Sequence, residues 1–162
     1  MPLDFENKIC EPEHFRERVE LLPKPRVFTN GVFDILHRGH VSYLAEARAK
    51  GESLIVALNS DTSAKRLGKG EDRPVNTLHD RMAVVAALHC VDLVTWFDED
   101  TPLALILACR PEVLVKGGDW KPEAIVGARE VIAWGGAAHS IPFLFRRSTT
   151  ATLNRIRTGN PG

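Results

Sequence analysis

Short apolar runs alternate along this chain with longer stretches in which apolar residues recur every three or four positions. The runs Arg26 to Gly31, Ser53 to Asn59, Asp92 to Phe97, Glu112 to Lys116 and Ala137 to Pro142 read as strands. Leu54-Ile55-Val56-Ala57-Leu58 is unbroken rather than alternating, the mark of a strand covered on both faces. The segments between read as helices: 40–50, closed by Gly51; Asp61 to Leu67, capped by Asp61 or Thr62; Thr77 to His89, with Leu78, Met82, Val85, Ala86 and Leu88 inward; Thr101 to Cys109; Pro122 to Trp134; and Thr149 to about Arg157. Regular alternation predicts an α/β protein with a Rossmann-like, doubly wound parallel sheet of about five strands, in a single domain spanning 26–157. Residues 1–25 form an extension with a short helix, His14 to Leu22, and a stiff Pro23-Lys24-Pro25 lead, expected as an appendage to the core. A flexible tail, 158–162, is expected at the other end.

Ligands of such sheets collect beyond the carboxyl ends of the strands, so the residues that follow each strand carry the candidate chemistry. The first strand runs into Thr29-Asn30-Gly31-Val32-Phe33-Asp34-Ile35-Leu36-His37-Arg38-Gly39-His40. Here a glycine turn ends in two histidines at the start of a helix. Backbone N–H groups and the helix dipole favour an anion there, Gly39 allows a phosphate to approach the backbone, and each imidazole can donate to a phosphoryl oxygen. After the fourth strand, Lys116-Gly117-Gly118-Asp119 places a cation beside two glycines, with Asp119 able to orient the lysine, bind sugar hydroxyls or cap a helix. After the fifth, Ser148-Thr149-Thr150, beside Arg146 and Arg147, opens a second helix with hydroxyls and N–H groups. Each element alone also fits a bland role: loop histidines, a Gly-Gly turn with a surface lysine, an ordinary helix cap. Their order, each at a strand's carboxyl end, favours one phosphate-binding cleft.

Composition narrows the partners. The 21 basic and 21 acidic residues cancel, so bulk charge draws the chain to neither nucleic acid nor an anionic membrane. Cys10, Cys90 and Cys109 are odd in number and lack CxxC spacing, which argues against a disulfide framework or a zinc site and for a reducing cytoplasm. No His/Cys/Asp spacing resembles a protein-ligated metal site. Asp4, Glu6 and Glu11, with no apolar run among them, argue against a secretory leader, and no apolar stretch approaches the roughly 20 residues of a membrane span. The polar loop 68–74 has no apolar period and is expected to fold over substrate. Lys50, Lys65, Arg66, Arg73 and Arg81 are secondary phosphate candidates, read equally well as solvated charges. His14, His79, His89 and His139 read as structural, whereas Trp120, next to the glycine pair, could line the pocket.

Thr-Asn-Gly-x-Phe-Asp-x-Leu-His-x-Gly-His, Asn59-Ser60-Asp61, Arg73-Pro74-Val75-Asn76, Asp80-Arg81, Lys116-Gly117-Gly118-Asp119 and Ser148-Thr149-Thr150 occur in order between about Arg26 and Arg157. In these the chain resembles the HxGH nucleotidyltransferase superfamily, and within it the heptose 1-phosphate adenylyltransferases in their stand-alone form, without a sugar-kinase domain. The resemblance implies transfer of AMP from ATP to the anomeric phosphate of a D-glycero-D-manno-heptose, giving ADP-heptose for lipopolysaccharide or another surface glycan. It implies His37 and His40 on the ATP phosphates, and Thr29, Asn30, Gly31, Phe33, Asp34 and Gly39 beside the nucleotide. Lys116, Gly118 and Asp119 would lie near nucleotide or sugar phosphate, and Ser148, Thr149 and Thr150 around the β- and γ-phosphates. Mg²⁺ would accompany ATP, and a homodimer is implied. Related glycerol-phosphate cytidylyltransferases carry Arg-x-Thr-x-Gly-Ile-Ser where this chain has Ile141-Pro142-Phe143-Leu144-Phe145-Arg146-Arg147, a departure that disfavours cytidylyl transfer. Cytidylyl transfer to glycerol 3-phosphate or another small phosphate, and a catalytically silent nucleotide-binding module, remain the alternatives.

Overall fold

The unbroken apolar run of β2 (Ser53–Asn59) is buried along its whole length, which places it inside a sheet. A computed structural model, describing residues 1, 3–145 and 148–159, sets β2 between β1 (Arg26–Gly31) and β3 (Leu93–Phe97). Beyond β1 the sheet continues through β4 (Val113–Gly117) to β5 (Ala137–Ile141), so the order is β3-β2-β1-β4-β5 with every pairing parallel. The doubly wound sheet expected from the alternation is present. Chain direction across the sheet reverses between β1 and β4, the switch point at which such sheets bind ligands. β1 pairs with β2 from Arg26 to Gly31 but with β4 only at Val27 and Phe28. The carboxyl halves of β1 and β4 therefore part, and a crevice opens between Asn30-Gly31 and Lys116-Gly117.

Alternate residues of each strand feed two cores. Phe28, Ile55 and Ala57 pack with Leu105, Ile106 and Cys109 of α5 (Leu103–Cys109) and with Ala128 and Val131 of α6 (Ala128–Ala133). Val27, Leu54, Val56 and Leu58 pack on the opposite face with Tyr43, Leu44 and Ala47 of α2 (Arg38–Arg48) and Met82, Val85 and Ala86 of α4 (Leu78–Ala86). A short α3 (Asp61–Lys65) follows β2, and α7 (Thr149–Thr158) ends in left-handed Gly159.

Local chemistry moves several boundaries. The second helix starts at Arg38, not after His40, because His37 caps it; Ser60, not Asp61 or Thr62, caps α3 by accepting from the Ser63 amide. The helix expected over 77–89 stops at Ala86. The segment expected as one helix from Pro122 to Trp134 splits into a 3-10 turn, Pro122–Ala124, and α6, with Gly127 in a left-handed conformation between them and Ile125 buried. Thr158 belongs to α7 rather than to a tail, and residues 160–162 of the expected tail lie outside the described residues.

The N-terminal segment is no appendage. Phe15 and Val19 of α1 (Phe15–Glu20) are buried in the core shared with α5. The Cys10 amide donates to the Val94 carbonyl at 2.8 Å, and Ile9 bridges Val94, so the segment covers part of the open edge of β3. Apolar residues in so short a helix escape a periodicity reading, yet their burial makes the segment part of the fold. Phe15→Ala is expected to destabilise the protein by about 3–5 kcal/mol in urea unfolding, the cost of emptying a core aromatic site. A loss well under 1 kcal/mol would show the segment to be dispensable.

Candidate nucleotide and phosphate site

The loop after β1 is shaped by two buried charged side chains. Asp34 accepts from the amides of Val75 and Asn76 at 2.8 and 2.9 Å and from Arg73 Nε at 2.9 Å, while Asn76 Nδ2 donates to the Asp34 carbonyl. Burial works to raise the Asp34 pKa, but the two amides and the Arg73 guanidinium outweigh it, and the net shift is downward. Arg81, 1% exposed, donates to the carbonyls of Val32, Asn59 and Asn76 and to Asp61 Oδ1. It is therefore neither a phosphate contact nor a solvated charge, but a tie between the ends of β1 and β2 and the loop before α4.

Within this frame the two histidines meet. His37 Nδ1 accepts the Gly39 amide at 3.1 Å, so in the neutral ring the proton sits on Nε2. A Cβ on Gly39 would stand 2.9 Å from the His37 ring and 3.4 Å from the Phe145 carbonyl. The glycine thus serves the histidine cap, and its amide is already engaged. His37 and His40 stack with centroids 3.8 Å apart, and Phe33 meets His40 edge-on at 5.5 Å. Phe33 itself holds φ 50°, a strained conformation for a residue with a side chain. Burial, then the neighbouring His37, then Lys69 push the His40 pKa down to about 4, and its Nδ1 is buried without a hydrogen-bond partner.

These groups line a cavity of about 290 Å³ at the switch point. It brings together Asn30, Gly31, Phe33, Asp34, His37 and His40 with Lys116 from β4 and with Ser148, Thr149 and Thr150 at the start of α7. Burial, followed by repulsion from Lys69, lowers the Lys116 pKa. Ser148 caps α7 by accepting the Ala151 amide, Thr149 Oγ1 donates to the Ile35 carbonyl at 3.1 Å, and Arg73 reaches Thr150 Oγ1 at 3.3 Å. The helix start is thereby fastened to the loop after β1. Arg146 and Arg147, expected to support it, lie outside the described residues.

Four expected site residues do not line this cavity. Thr29 is buried and shares a short hydrogen bond with the Tyr43 hydroxyl, so it belongs to the packing under the site. Gly39 is turned to the His37 cap. Gly118 donates its amide to the Ile141 carbonyl, and Asp119 is exposed beyond it. Of the secondary cations, Arg73 lines the cavity and Arg66 pairs with Asp100, while Lys50 and Lys65 touch neither this cavity nor its neighbour. Sequence reading missed Lys69, Tyr43 and Phe143, which line the cavity together with Val32 and Gly117. Lys69 sits in the 68–74 loop expected to reach substrate, so a signal existed; nothing in the spacing of Tyr43 or Phe143 marked them. Among the described residues no group of three His, Cys, Asp or Glu side chains could hold a metal ion, and no helix is long and apolar enough to cross a membrane.

A parallel sheet with paired imidazoles, a half-buried lysine and a helix N-terminus around its switch point defines a nucleotide-binding α/β protein of the nucleotidyltransferase type. A family model described as cytidylyltransferase-like matches residues 28–147, and the chain belongs to that family. It is 54% identical over 157 residues to a D-beta-D-heptose 1-phosphate adenylyltransferase of Bordetella bronchiseptica, covering 96% of this chain and 97% of that protein. It is 58% identical over 131 residues to the bifunctional protein HldE of Proteus mirabilis, of whose length the match spans 27%. Among solved structures, a lipopolysaccharide core biosynthesis protein of Thermoplasma volcanium superposes with a TM-score of 0.62 at 28% identity, covering 75% of this chain and 98% of that one. A pantoate-beta-alanine ligase of Francisella tularensis, 14% identical with a TM-score of 0.59 over 90% of this chain and 72% of that one, shares the fold.

Two measurements test this geometry. An unfolded histidine titrates near 6.5, so a folded value of about 4 means that the native state resists protonation: His40's contribution to stability is complete above about pH 6.5 and is lost as pH falls toward 4. The His40 ring protons should accordingly titrate near pH 4 by NMR, and a midpoint of 6 or above would contradict the packing described. Arg81→Met leaves three strand-end and loop carbonyls without their donor and is expected to lower unfolding stability by about 3–5 kcal/mol.

Proposed function

We propose that this protein transfers AMP from ATP to the phosphate of a heptose 1-phosphate, forming ADP-heptose and releasing pyrophosphate. The observation that carries the reading is the convergence of His37, His40, Lys116 and the start of α7 on one switch-point cavity, in a chain that matches a heptose 1-phosphate adenylyltransferase along nearly its whole length. An acceptor phosphate oxygen attacks the α-phosphorus of ATP, a new P–O bond forms, the bond to the β-phosphate oxygen breaks, and pyrophosphate leaves with the electron pair. The second pKa of a phosphate monoester is near 6, so the attacking oxygen is already largely ionised at neutral pH and needs no general base. Catalysis then reduces to holding two polyanions in line and stabilising charge on the transferring and leaving phosphates.

The residues suit that task. His40 is neutral at pH 7; an unpaired buried acceptor is tolerated better than an unpaired buried N–H, so we assign its proton to Nε2, from which it donates to a phosphate oxygen. His37, with Nδ1 engaged by Gly39, has the same tautomer. Lys116 supplies the cation, and Thr150 with the amides at the α7 N-terminus face the terminal phosphates. Asn30, Gly31 and Phe33 flank the nucleotide, whereas Asp34 shapes the site through its bonds to Arg73, Val75 and Asn76 rather than by touching substrate. With that carboxylate committed, Mg²⁺ enters as part of the MgATP substrate, held by phosphate oxygens and water. The free thiols Cys10, Cys90 and Cys109 support a cytoplasmic reaction, and exposed Leu107 and Ile132 offer surface for a homodimer.

The family description makes cytidylyl transfer the second reading. Pyrophosphate release from ATP and CTP, each with heptose 1-phosphate and glycerol 3-phosphate, separates the two: turnover with ATP and the heptose phosphate is expected to dominate, and preference for CTP with glycerol 3-phosphate would replace this assignment. His40→Ala is expected to lower turnover about a hundredfold or more while the circular dichroism spectrum and unfolding transition persist. A near-normal rate would refute the role given to His40.

A further inference from the structure

A second cavity, about 440 Å³, adjoins the first on the other side of the β1 terminus. The two share Asn30, Gly31, Val32, Lys69 and Lys116 as a common wall. The remainder of the second cavity is different in chemistry. Leu67, Pro102, Trp120, Ile125 and Val126 give it an apolar floor, and Asn59, Asp100 and Thr101 give it a polar edge. Among the described residues that line it, the cations are the two lysines of the shared wall, and Asp100, paired with Arg66, adds a carboxylate to its polar edge. A ligand with one phosphate at the lysines and a neutral, amphipathic body is what such a space accepts.

Two of these side chains offer a ligand complementary chemistry. Trp120 is 49% exposed although it faces a cavity, and its backbone amide donates to Ser140 Oγ at 3.0 Å, which in turn donates to the Gly118 carbonyl. Gly118 holds φ +114°, and a Cβ there would lie 3.0 Å from the indole Nε1. The second glycine of the pair therefore provides the space against which the indole rests. Asp100, largely exposed, accepts from Arg66 Nε at 2.6 Å through Oδ1, which leaves Oδ2 for a ligand. An aromatic face beside a carboxylate matches a pyranose, whose C–H groups present an apolar surface and whose hydroxyls donate to a carboxylate.

We propose that the sugar of the acceptor occupies this second cavity, with Trp120 as the surface on which its ring stacks and Asp100 as the carboxylate that holds its hydroxyls. The inference rests on the adenylyl-transfer reading above, and it gives that reading its geometry. An in-line displacement needs the attacking and leaving oxygens on opposite sides of the α-phosphorus. With the triphosphate in the first cavity and the sugar in the second, the acceptor phosphate meets ATP at Lys116, on the wall between them. The sugar specificity of this chain then resides in Trp120 and Asp100, outside the histidine pair.

Steady-state kinetics of Trp120→Ala, Trp120→Phe and Asp100→Asn test the assignment. The Ala and Asn variants are expected to raise KM for heptose 1-phosphate about tenfold or more, the equivalent of about 1.4 kcal/mol each, with KM for ATP moving less than about twofold. Trp120→Phe, which keeps an aromatic face, should recover most of the loss. A rise in KM for ATP instead would seat the adenine ring in this cavity and overturn the proposal, as would unchanged values for both substrates. If the wild-type protein transferred AMP to no sugar 1-phosphate, the transfer reading would fail by itself. Calorimetric binding of heptose 1-phosphate to wild type and to Trp120→Ala would still decide the sugar site, since equal affinity, or none for either protein, would remove it.

Discussion

The guanidinium of Arg81 joins the carboxyl end of β2, the turn after β1 and the loop before α4 into one shelf, and the nucleotide cavity is built on that shelf. Ladder hydrogen bonds run out where strands end, and a parallel sheet that opens at its switch point leaves carbonyls turned inward there. Arg81 satisfies Val32, Asn59 and Asn76 together and is neutralised by Asp61 at 2.7 Å. Bonds to a charged group each contribute about 1.5–3 kcal/mol, and losing one partner of a buried set exposes the rest to desolvation without compensation. Asp34 performs the complementary task with an anion, gathering the amides of Val75 and Asn76 and the Arg73 side chain. Two buried charges of opposite sign thus fix the loops that a flexible chain would leave mobile.

That rigidity lets the cavity hold several basic side chains close together. Burial depresses His40 and Lys116, and Lys69 presses on both. A positive charge on His40 or Lys116 is therefore costly there. Under the proposed adenylyl transfer, a polyanion entering the cavity would offset the repulsion between Lys116 and Lys69. Phe33, strained at φ 50° and placed edge-on to His40, helps to maintain the desolvation that makes charge costly there. The site sets these groups in place in advance, which suits the proposed phosphoryl transfer without a covalent intermediate.

The split between what was readable and what was not follows the range of the interactions involved. Strand positions, the parallel sheet and the three ligand-facing loops come from short-range patterns: apolar runs, helix starts after strands, glycine turns. The resemblance rested on motifs written in consecutive residues, and the family match bears it out. The boundaries that moved did so for local reasons with distant partners. His37 became a cap because its ring folds back on Gly39, and α6 was delayed because Ile125 turns into the core ahead of Gly127. Arg81, one of several cations in a polar stretch, gave no sign that it would be buried, because its four partners come from three other segments.

By itself the sequence determined the alternation of strand and helix, and with it the end of the sheet at which a phosphate site must lie. It also placed the two histidines, the lysine and the hydroxyl-rich helix start each at or beyond the carboxyl end of its own strand. Only the tertiary structure decided which of these share one cavity. It turned Thr29 under the site, withdrew Gly39, Gly118 and Asp119 from the switch-point cavity, tied Asp34 into the frame, and brought Lys69 and Phe143 into the lining. The reason is physical: hydrogen-bond geometry and apolar periodicity act between near neighbours in the chain. Burial, charge pairing and the parting of β1 from β4 depend on residues tens of positions apart.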